Sequence, residues 1–356
     1  MPVQSDMQLA FDRRADGIDA GFGVPVGVFG EGVPGPLVTA LGGVSVDVKA
    51  PPLSDALDGP DMPSVASVAE PFLDSFTARF LHRFAAGSFD TFATIVFARD
   101  DVAGLAAYQY ATELRRQGIL PAAGPRLYLW NLLHTDSAPA ERFNRRELER
   151  LTAHLEDTLG ATLDPDRLAD AVAAEARCAQ ALHALPPGGP DAFVARNAGR
   201  WLPPDVHADL LGAHAPDAGA TGPSIVLVGS ACDIPVLHSL CAGLGQITAD
   251  LQDYGRIAPT ARNSADLLRH IAHDPLATRA SPPVRYTRAL QEGTEGADLV
   301  IASVDANDDS FGWELPVLRR TVESRGARFL NLGFRPFRPD AAWQDMARTK
   351  IEEALT

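Results

Sequence analysis

Short apolar runs alternate with amphipathic stretches along most of this chain. The runs Phe92–Ala98 and Ser224–Gly229 are apolar almost throughout, which is typical of strands that helices cover on both faces. Val102–Gln117 has apolar residues at about helical spacing. This alternation predicts parallel βα units. Further strands are predicted at Val24–Gly30, Val44–Ala50, Arg126–Leu133, Gln246–Asp250, Asp298–Val304 and Arg328–Gly333.

The pattern becomes almost wholly helical between Asn144 and Leu185, where leucines recur along one face. Shorter helices, among them Ser264–His273, are predicted between the later strands. The fold class is therefore predicted as α/β, with two Rossmann-like parallel-sheet domains and a helical segment between them. The predicted parts are a flexible N-terminus (1–20), a first α/β domain (21–143) with the helical segment (144–213), a linker (214–223) and a second α/β domain (224–356).

Composition narrows the class of protein. The chain has 356 residues, of which 46% are hydrophobic and 22% charged, so it can bury substantial cores. No apolar run approaches the roughly 18 to 20 residues that cross a bilayer, and the first residues lack the apolar core of a signal peptide. We therefore expect a cytoplasmic protein without a membrane partner. The formal net charge of -15 argues against a nucleic-acid partner.

Cysteine and histidine spacing gives no sign of a metal site. The three cysteines, Cys178, Cys232 and Cys241, fit neither a disulfide framework nor a CxxC knuckle, and buried thiols are expected. His270 and His273 lie one helical turn apart, but no third ligand accompanies them. Neither a P-loop lysine motif nor a GxSxG motif is present, so P-loop nucleotide binding and serine hydrolysis lack support.

The loops that follow the predicted strands are the candidate sites, because parallel sheets bind ligands at the carboxyl ends of their strands. In the first half, Glu31 and Asp100 are candidate acid–base residues. Gly30 and Arg99, their chain neighbours, are candidate ligand-binding residues.

In the second half, Gly229 and Ser230 precede a helix whose free amides are able to hold a phosphate or carboxylate. The structural alternative is that Ser230 or Asp233 simply caps this helix. Arg256 follows a glycine near another strand end, where a guanidinium can grip a carboxylate or phosphate with two hydrogen bonds. The alternative for Arg256 is a surface salt bridge.

An acidic loop follows the strand at 298–304. Its carboxylates are Asp305, Asp308 and Asp309, and carboxylate oxygens suit a hard cation. Acidic residues are also favoured at the start of a helix, and we favour this interpretation over a cation site. Asp305 is retained as a candidate catalytic residue and Asn307 as a candidate ligand-binding residue.

Several segments resemble the D-component family of 2-hydroxyacyl-CoA dehydratases, which includes benzoyl-CoA reductase subunits. The resemblance extends from about Val24 to the C-terminus. The segments that carry it are Val33–Leu37 with Ala40–Val44, Arg146–Gly160 with Leu168 and Arg177, Gly229–Ser230 with Asp233–Leu237, Asp250–Arg256, and Gly296–Ile301. The resemblance implies stacked α/β domains, related subunits, acyl-CoA substrates and a [4Fe–4S] cluster served by an ATP-dependent activator.

This chain departs from the family pattern at the cluster ligands. Where the family usually has cysteines, the sequence has Arg99-Asp100, Ser281-Pro282-Pro283 and Ala306-Asn307-Asp308. Iron–sulfur clusters need thiolate ligands. We therefore expect no cofactor in this chain, and a [4Fe–4S] cluster only in a partner subunit.

Three functions are compatible with this pattern. The first is a dehydratase-like subunit without its own cluster, which binds an acyl-CoA or carboxylate and pairs with a cysteine-bearing homologue or with itself. The second is a redox-free enzyme that uses a strand-end cleft for a small carboxylate or thioester. The third is a binding protein without catalysis. If the chain is an enzyme, the resemblance implies a lyase or part of a reductase complex.

Overall fold

Two four-stranded sheets, each parallel throughout, form the framework of this protein. The computed structural model describes residues 2–55, 62–100, 102–120, 122–214, 221–277, 283–308 and 310–356. The strands are β1 (Val24–Phe29), β2 (Gly43–Asp47), β3 (Thr94–Ala98), β4 (Arg126–Trp130), β5 (Ser224–Gly229), β6 (Gln246–Asp250), β7 (Leu299–Asp305) and β8 (Arg328–Arg335). This architecture confirms the predicted α/β class.

Helices connect the strands. They are α1 (Pro2–Arg13), α2 (Gly35–Ala40), α3 (Pro63–Ala66), α4 (Ser75–Ala85), α5 (Val102–Arg116), α6 (Ala138–Leu159), α7 (Pro165–His183), α8 (Pro190–Ala198), α9 (Pro204–Ala213), α10 (Val236–Cys241), α11 (Arg269–His273), α12 (Pro283–Gly293), α13 (Leu315–Ser324) and α14 (Ala341–Leu355). None of the helices in the described ranges is long and apolar enough to cross a membrane.

The first sheet has the strand order β2-β1-β3-β4, and helices cover both of its faces. On one face Val96 packs in a cluster with Leu151 and Leu155 of α6. Its neighbour Phe97 points to the opposite face, where its ring lies 5.4 Å from that of Phe80 in α4. Burial on both faces explains why the strand sequence is an uninterrupted apolar run.

The second sheet has the order β6-β5-β7-β8. Every residue of β7 is buried, as expected for an inner strand between two layers of helices. Leu227 and Ile301 pack with Leu237 of α10 and Ile351 of α14 in one hydrophobic core. The two sheets thus repeat one strand order, with β5 to β8 in the places of β1 to β4.

The chain divides into two compact units that are interleaved in sequence. The first contains residues 1–181, 198–213 and 259–282, and the second contains 182–197, 214–258 and 283–356. This corrects the predicted single boundary at 214–223, of which residues 215–220 lie outside the described part of the chain. Residues 259–282 join the first unit because Ile271 packs in the core of the first sheet.

Residues 182–197 join the second unit through α8. The ring centroid of Phe193 lies 5.0 Å from that of His238, and Asn197 donates a 2.8 Å hydrogen bond to the carbonyl of Tyr254. This corrects the prediction, which places these residues in the first domain, because helix propensity alone does not show which sheet a helix covers.

The N-terminal segment differs from the flexible terminus that the sequence predicts. Met7 and Phe11 of α1 are both 1% exposed, and their spacing of four residues puts them on one helix face. The buried Arg14 follows and donates a 2.7 Å hydrogen bond to the carbonyl of Pro51. Two apolar side chains and one cation therefore fix a segment whose composition suggested no structure.

The predicted helix Ser264–His273 is also shorter in the structure. A single 3-10 turn spans Ser264–Asp266, and its start is capped by the Asn263 side chain, which accepts a hydrogen bond from the Ala265 amide. The α-helix begins only at Arg269. The cap stabilises the start of this 3-10 turn.

Candidate functional site

The strand order of each sheet creates one crevice at the carboxyl ends of its strands. From β1 the chain crosses to β2 on one side, and β3 then lies on the other side, so the crossover connections diverge between β1 and β3. The same reversal occurs between β5 and β7. Open α/β sheets bind ligands at this switch point.

At the first switch point the loops after β1 and β3 meet. The Glu31 amide donates a 2.7 Å hydrogen bond to Oδ2 of Asp100. Gly30 has a φ of 105°, and a Cβ at this position would lie 2.8 Å from Oδ1 of Asp100. The structure therefore brings three of the predicted residues together, and only glycine permits this approach.

Arg200 joins the same site from the chain after α8. Its Nη2 lies 2.7 Å from Oε1 of Glu31, and its Nη1 lies 3.5 Å from Oδ2 of Asp47. The Arg200 carbonyl accepts a 3.0 Å hydrogen bond from the Asp47 amide, and Trp201 Nε1 donates a 2.9 Å hydrogen bond to the Asp47 carbonyl. The segment at 200–201 is thus bonded to the carboxyl end of β2.

Lys49 completes the group of charges just beyond β2. It is only 6% exposed, and its ammonium lies 5.4 Å from the ring centroid of Phe76 and 5.9 Å from that of Phe29. Such cation–π contacts stabilise a cation that has lost water. We use the name first-unit site for these five charged residues: Glu31, Asp47, Lys49, Asp100 and Arg200.

Arg99, the remaining candidate of this half, is not part of the first-unit site. Its side chain is exposed, and its amide donates a 2.9 Å hydrogen bond to the carbonyl of Trp130 on β4. Asp47, Lys49 and Arg200 were missed by sequence reasoning. Asp47 lay inside a predicted strand, and Arg200 lies far along the chain in a segment that was predicted to be helical.

At the second switch point Ser230 connects two loops. Its amide donates a 3.1 Å hydrogen bond to the Ser303 carbonyl. Its hydroxyl accepts a 2.9 Å hydrogen bond from the Asp305 amide and donates one of 2.6 Å to Asp308. Gly229 has a φ of 141°, and a Cβ there would lie 1.8 Å from the Ser303 carbonyl oxygen. The structure therefore brings the candidate residues Gly229, Ser230 and Asp305 together.

The acidic loop after β7 uses its carboxylates to bind its own backbone. Oδ1 of Asp305 accepts a 2.9 Å hydrogen bond from the amide of Asn307, whose side chain is exposed. Oδ1 of Asp308 accepts hydrogen bonds from the amides of Ser310 and Phe311. This pattern agrees with the favoured interpretation as the start of a helical turn. Asp309 lies outside the described residues.

Neither Ser230 nor Asp233 caps the following helix. Helix α10 begins after Pro235 without a side-chain cap, and the carboxylate of Asp233 instead binds Arg338 through two hydrogen bonds of 2.7 Å. The capping alternative is therefore wrong for both residues. Across the described ranges, no group of three or more His, Cys, Asp or Glu side chains is placed to hold a metal ion.

Arg256 lies after the edge strand β6, half-buried, with its amide bonded to the Gln252 carbonyl at 3.2 Å. The same turn contains Tyr254, a buried residue with a φ of 73°, in the left-handed region that side chains rarely adopt. Strained backbone of this kind persists only where surrounding contacts hold it. Here the Asn197 side chain does so by donating to the Tyr254 carbonyl.

A buried histidine–aspartate pair stands beside this turn and was not predicted. Nε2 of His238 lies 3.0 Å from Oδ2 of Asp250, with the side chains 1% and 2% exposed. Burial lowers the pKa of the nearby Arg196 guanidinium, and the charge of Asp250 partly opposes that shift. The sequence signal was Asp250 at a predicted strand end, but nothing local linked it to a histidine twelve residues earlier.

Comparison of this sequence with known protein families gives no match, and comparison with curated proteins gives none either. Function therefore has to be inferred from the geometry of the two units.

Proposed function

We propose that this protein binds a 2-hydroxyacyl thioester at the first-unit site, as a dehydratase-like protein without an iron–sulfur cluster of its own. The observation that carries the proposal is the position of Arg200 between the carboxylates of Glu31 and Asp47. The amide of the same Glu31 binds Asp100 at the switch point of the first sheet. A guanidinium and carboxylates are thereby fixed side by side where open α/β sheets bind ligands.

The charges of the site favour a neutral ligand head. Three carboxylates stand against two cations, so the formal charge is -1, and a free carboxylate ligand would meet repulsion. A 2-hydroxyacyl thioester adds no charge at its head. Its hydroxyl donates to a carboxylate such as Glu31, and its carbonyl accepts from the Arg200 guanidinium. Such a site distinguishes the hydroxylated thioester from one that lacks the hydroxyl.

The cysteines support a role without a cluster in this chain. Burial raises the pKa of Cys178 and of Cys241 to about 12, and it also raises the pKa of Cys232. Thiolates are the ligands that clusters require. In the proposed role the protein works in the cytoplasm, as a homodimer or with a cysteine-bearing homologue that holds a [4Fe–4S] cluster.

A redox-free lyase is the second candidate, and the contact between Glu31 and Asp100 favours it. Elimination or addition of water needs one group to remove a proton and another to deliver one. Glu31 and Asp100 follow adjacent strands and supply two carboxyl groups for these roles, and the Glu31 amide holds the Asp100 carboxylate at 2.7 Å. A binding protein without catalysis would use the same contacts for recognition only.

Ligand-induced stabilisation tests the proposal. Urea unfolding is followed with a 2-hydroxyacyl-CoA, with the matching acyl-CoA that lacks the hydroxyl, and with CoA. A ligand at one hundred times its Kd raises the free energy of unfolding by about 2.7 kcal/mol. We expect the hydroxyacyl-CoA to stabilise most, and equal stabilisation by all three compounds would contradict recognition of the hydroxyl.

Two variants test whether the first-unit site is where the thioester binds. Glu31→Gln is expected to remove the preference for the hydroxyl, and Arg200→Gln to weaken binding of both thioesters at least tenfold. The control pair is Arg116→Gln and Glu113→Gln, because that ion pair lies exposed on α5. Turnover of the hydroxyacyl-CoA without added reductant, with iron analysis of anaerobically purified protein, separates the lyase from the other two roles.

A further inference from the structure

A cavity of about 400 Å³ lies in the first unit beside the start of β2. It is lined by α2, the beginning of β2, α7 and the first turn of α9. Ligand pockets usually enclose roughly 300 to 1,000 Å³, so this volume suits a small molecule. None of the residues of the first-unit site lines it.

The lining combines apolar surface with acidic and hydroxyl groups. Phe22, Val44 and Val206 supply apolar surface. The ionisable side chains of the described lining are Glu175 and Asp205, both acidic, and the lining includes no lysine, arginine or histidine. The ionisable side chains of the lining therefore repel an anionic ligand and attract a cationic one.

Glu175 is the polar group that most needs a ligand. Its Oε1 would lie 2.3 Å from a Cβ on Gly35, so the carboxylate rests against the glycine that opens α2. Burial raises the pKa of Glu175 to about 7. Desolvation is the cause of this shift, and no cation of the described residues contributes to it.

Ser45 adds an unsatisfied hydroxyl to the lining. Its Oγ is buried and has no hydrogen-bond partner among the described residues, although the residue lines the cavity. Buried hydroxyls are nearly always hydrogen-bonded, and exceptions call for an explanation. An ammonium has three N–H donors, so it is able to bind Glu175 and Ser45 together.

We infer that this cavity binds a small organic amine, whose ammonium group pairs with the Glu175 carboxylate and whose apolar body contacts Phe22 and Val206. Asp205 is exposed and lies at the start of α9, where its charge attracts cations toward the opening. The inference is independent of the function proposed for the first-unit site, because it depends on different side chains.

Three probes of one shape and different charge test the inference: benzylammonium, benzyl alcohol and benzoate. Binding is measured on the full chain by calorimetry and ligand-observed NMR at pH 8. We expect benzylammonium to bind at least tenfold more tightly than benzyl alcohol, and benzoate to bind most weakly. Equal affinity for the three probes, or tighter binding of benzoate, would overturn the inference.

Variants locate the site. Glu175→Gln is expected to weaken benzylammonium binding at least tenfold and to leave benzyl alcohol binding unchanged. Ser45→Leu fills the cavity from β2 and is expected to abolish binding of both, which provides a second test if either variant folds poorly. Glu149→Gln, on the exposed face of helix α6, is the matched control. Unchanged benzylammonium binding in folded Glu175→Gln would refute the assignment.

Discussion

The Arg338 guanidinium donates two hydrogen bonds of 2.7 Å to the carboxylate of Asp233, and the side chains are only 9% and 1% exposed. This pair lies at the carboxyl ends of the second sheet's strands, in the segments after β5 and β8. A two-bond guanidinium–carboxylate contact has a fixed geometry, so it holds both segments in one arrangement.

Breaking this buried pair is expected to destabilise the protein strongly. Asp233→Ala or Arg338→Ala leaves one charge without its partner, which costs about 3 to 5 kcal/mol. The double variant should cost less than the sum of the two single variants, because no charge is left alone. Urea unfolding of all four proteins gives the coupling. The exposed pair of Glu113 and Arg116 should give a much smaller coupling, and similar values for both pairs would contradict the argument.

The sheets were predictable because burial on both faces leaves a strong local pattern. Ser224–Gly229 and Gln246–Asp250 were predicted with the bounds that the structure shows. Helix α1 left no comparable pattern, since Met7 and Phe11 are the buried residues among its described side chains. Tertiary contacts, not local periodicity, give that segment its structure.

The candidate site was predictable only in part, for the same reason. Gly30, Glu31 and Asp100 were found because parallel strands bring the loops after them to one edge of the sheet. Arg200 lies 169 positions after Glu31 in the chain, and no local pattern predicts a contact over that separation. The sequence therefore predicts the position of the crevice, but it does not predict that Arg200 pairs with the carboxylates there.

The close approach of the β1 and β3 loops predicts that Gly30 tolerates no side chain. Gly30→Ala would place a Cβ 2.8 Å from Oδ1 of Asp100 at a φ of 105°. We expect a loss of about 3 kcal/mol or more in the free energy of unfolding, from strain and from displacement of Asp100. The control is Gly118→Ala, with a φ of 70° and open space around the Cβ, which should cost only about 1 to 2 kcal/mol. Equal losses in urea unfolding would show that the contact with Asp100 is not restrictive.

Glu175 predicts a pH-dependent stability in the protein without added amine. Burial raises the pKa of its carboxyl from 4.5 to about 7, so the folded state holds this proton more tightly than the unfolded state. The resulting stability is complete below pH 4.5 and is lost as the pH rises through 7. Glu175→Gln should therefore gain little at pH 5 and up to about 3 kcal/mol at pH 8, relative to the unsubstituted protein. Urea unfolding at both pH values measures this, with Glu149→Gln as control. A gain that does not grow with pH would contradict the raised pKa.

The three thiols are predicted to be unreactive in the folded protein. All three cysteines are buried. Desolvation is the main cause that raises the pKa of each thiol, and the charge of Glu175 adds to the shift of Cys178. Because only the thiolate attacks a disulfide reagent, both the low thiolate fraction and the lack of access slow the reaction.

Titration with an aromatic disulfide at pH 8 is expected to label almost no thiol in the native protein. All three thiols should react in about 8 M urea, where the chain is unfolded. Cys178→Ser, Cys232→Ser and Cys241→Ser then identify any residual reaction. Rapid native labelling of one cysteine would show that its thiol is exposed or activated, and that residue would become the first candidate for a ligand of a metal or cluster.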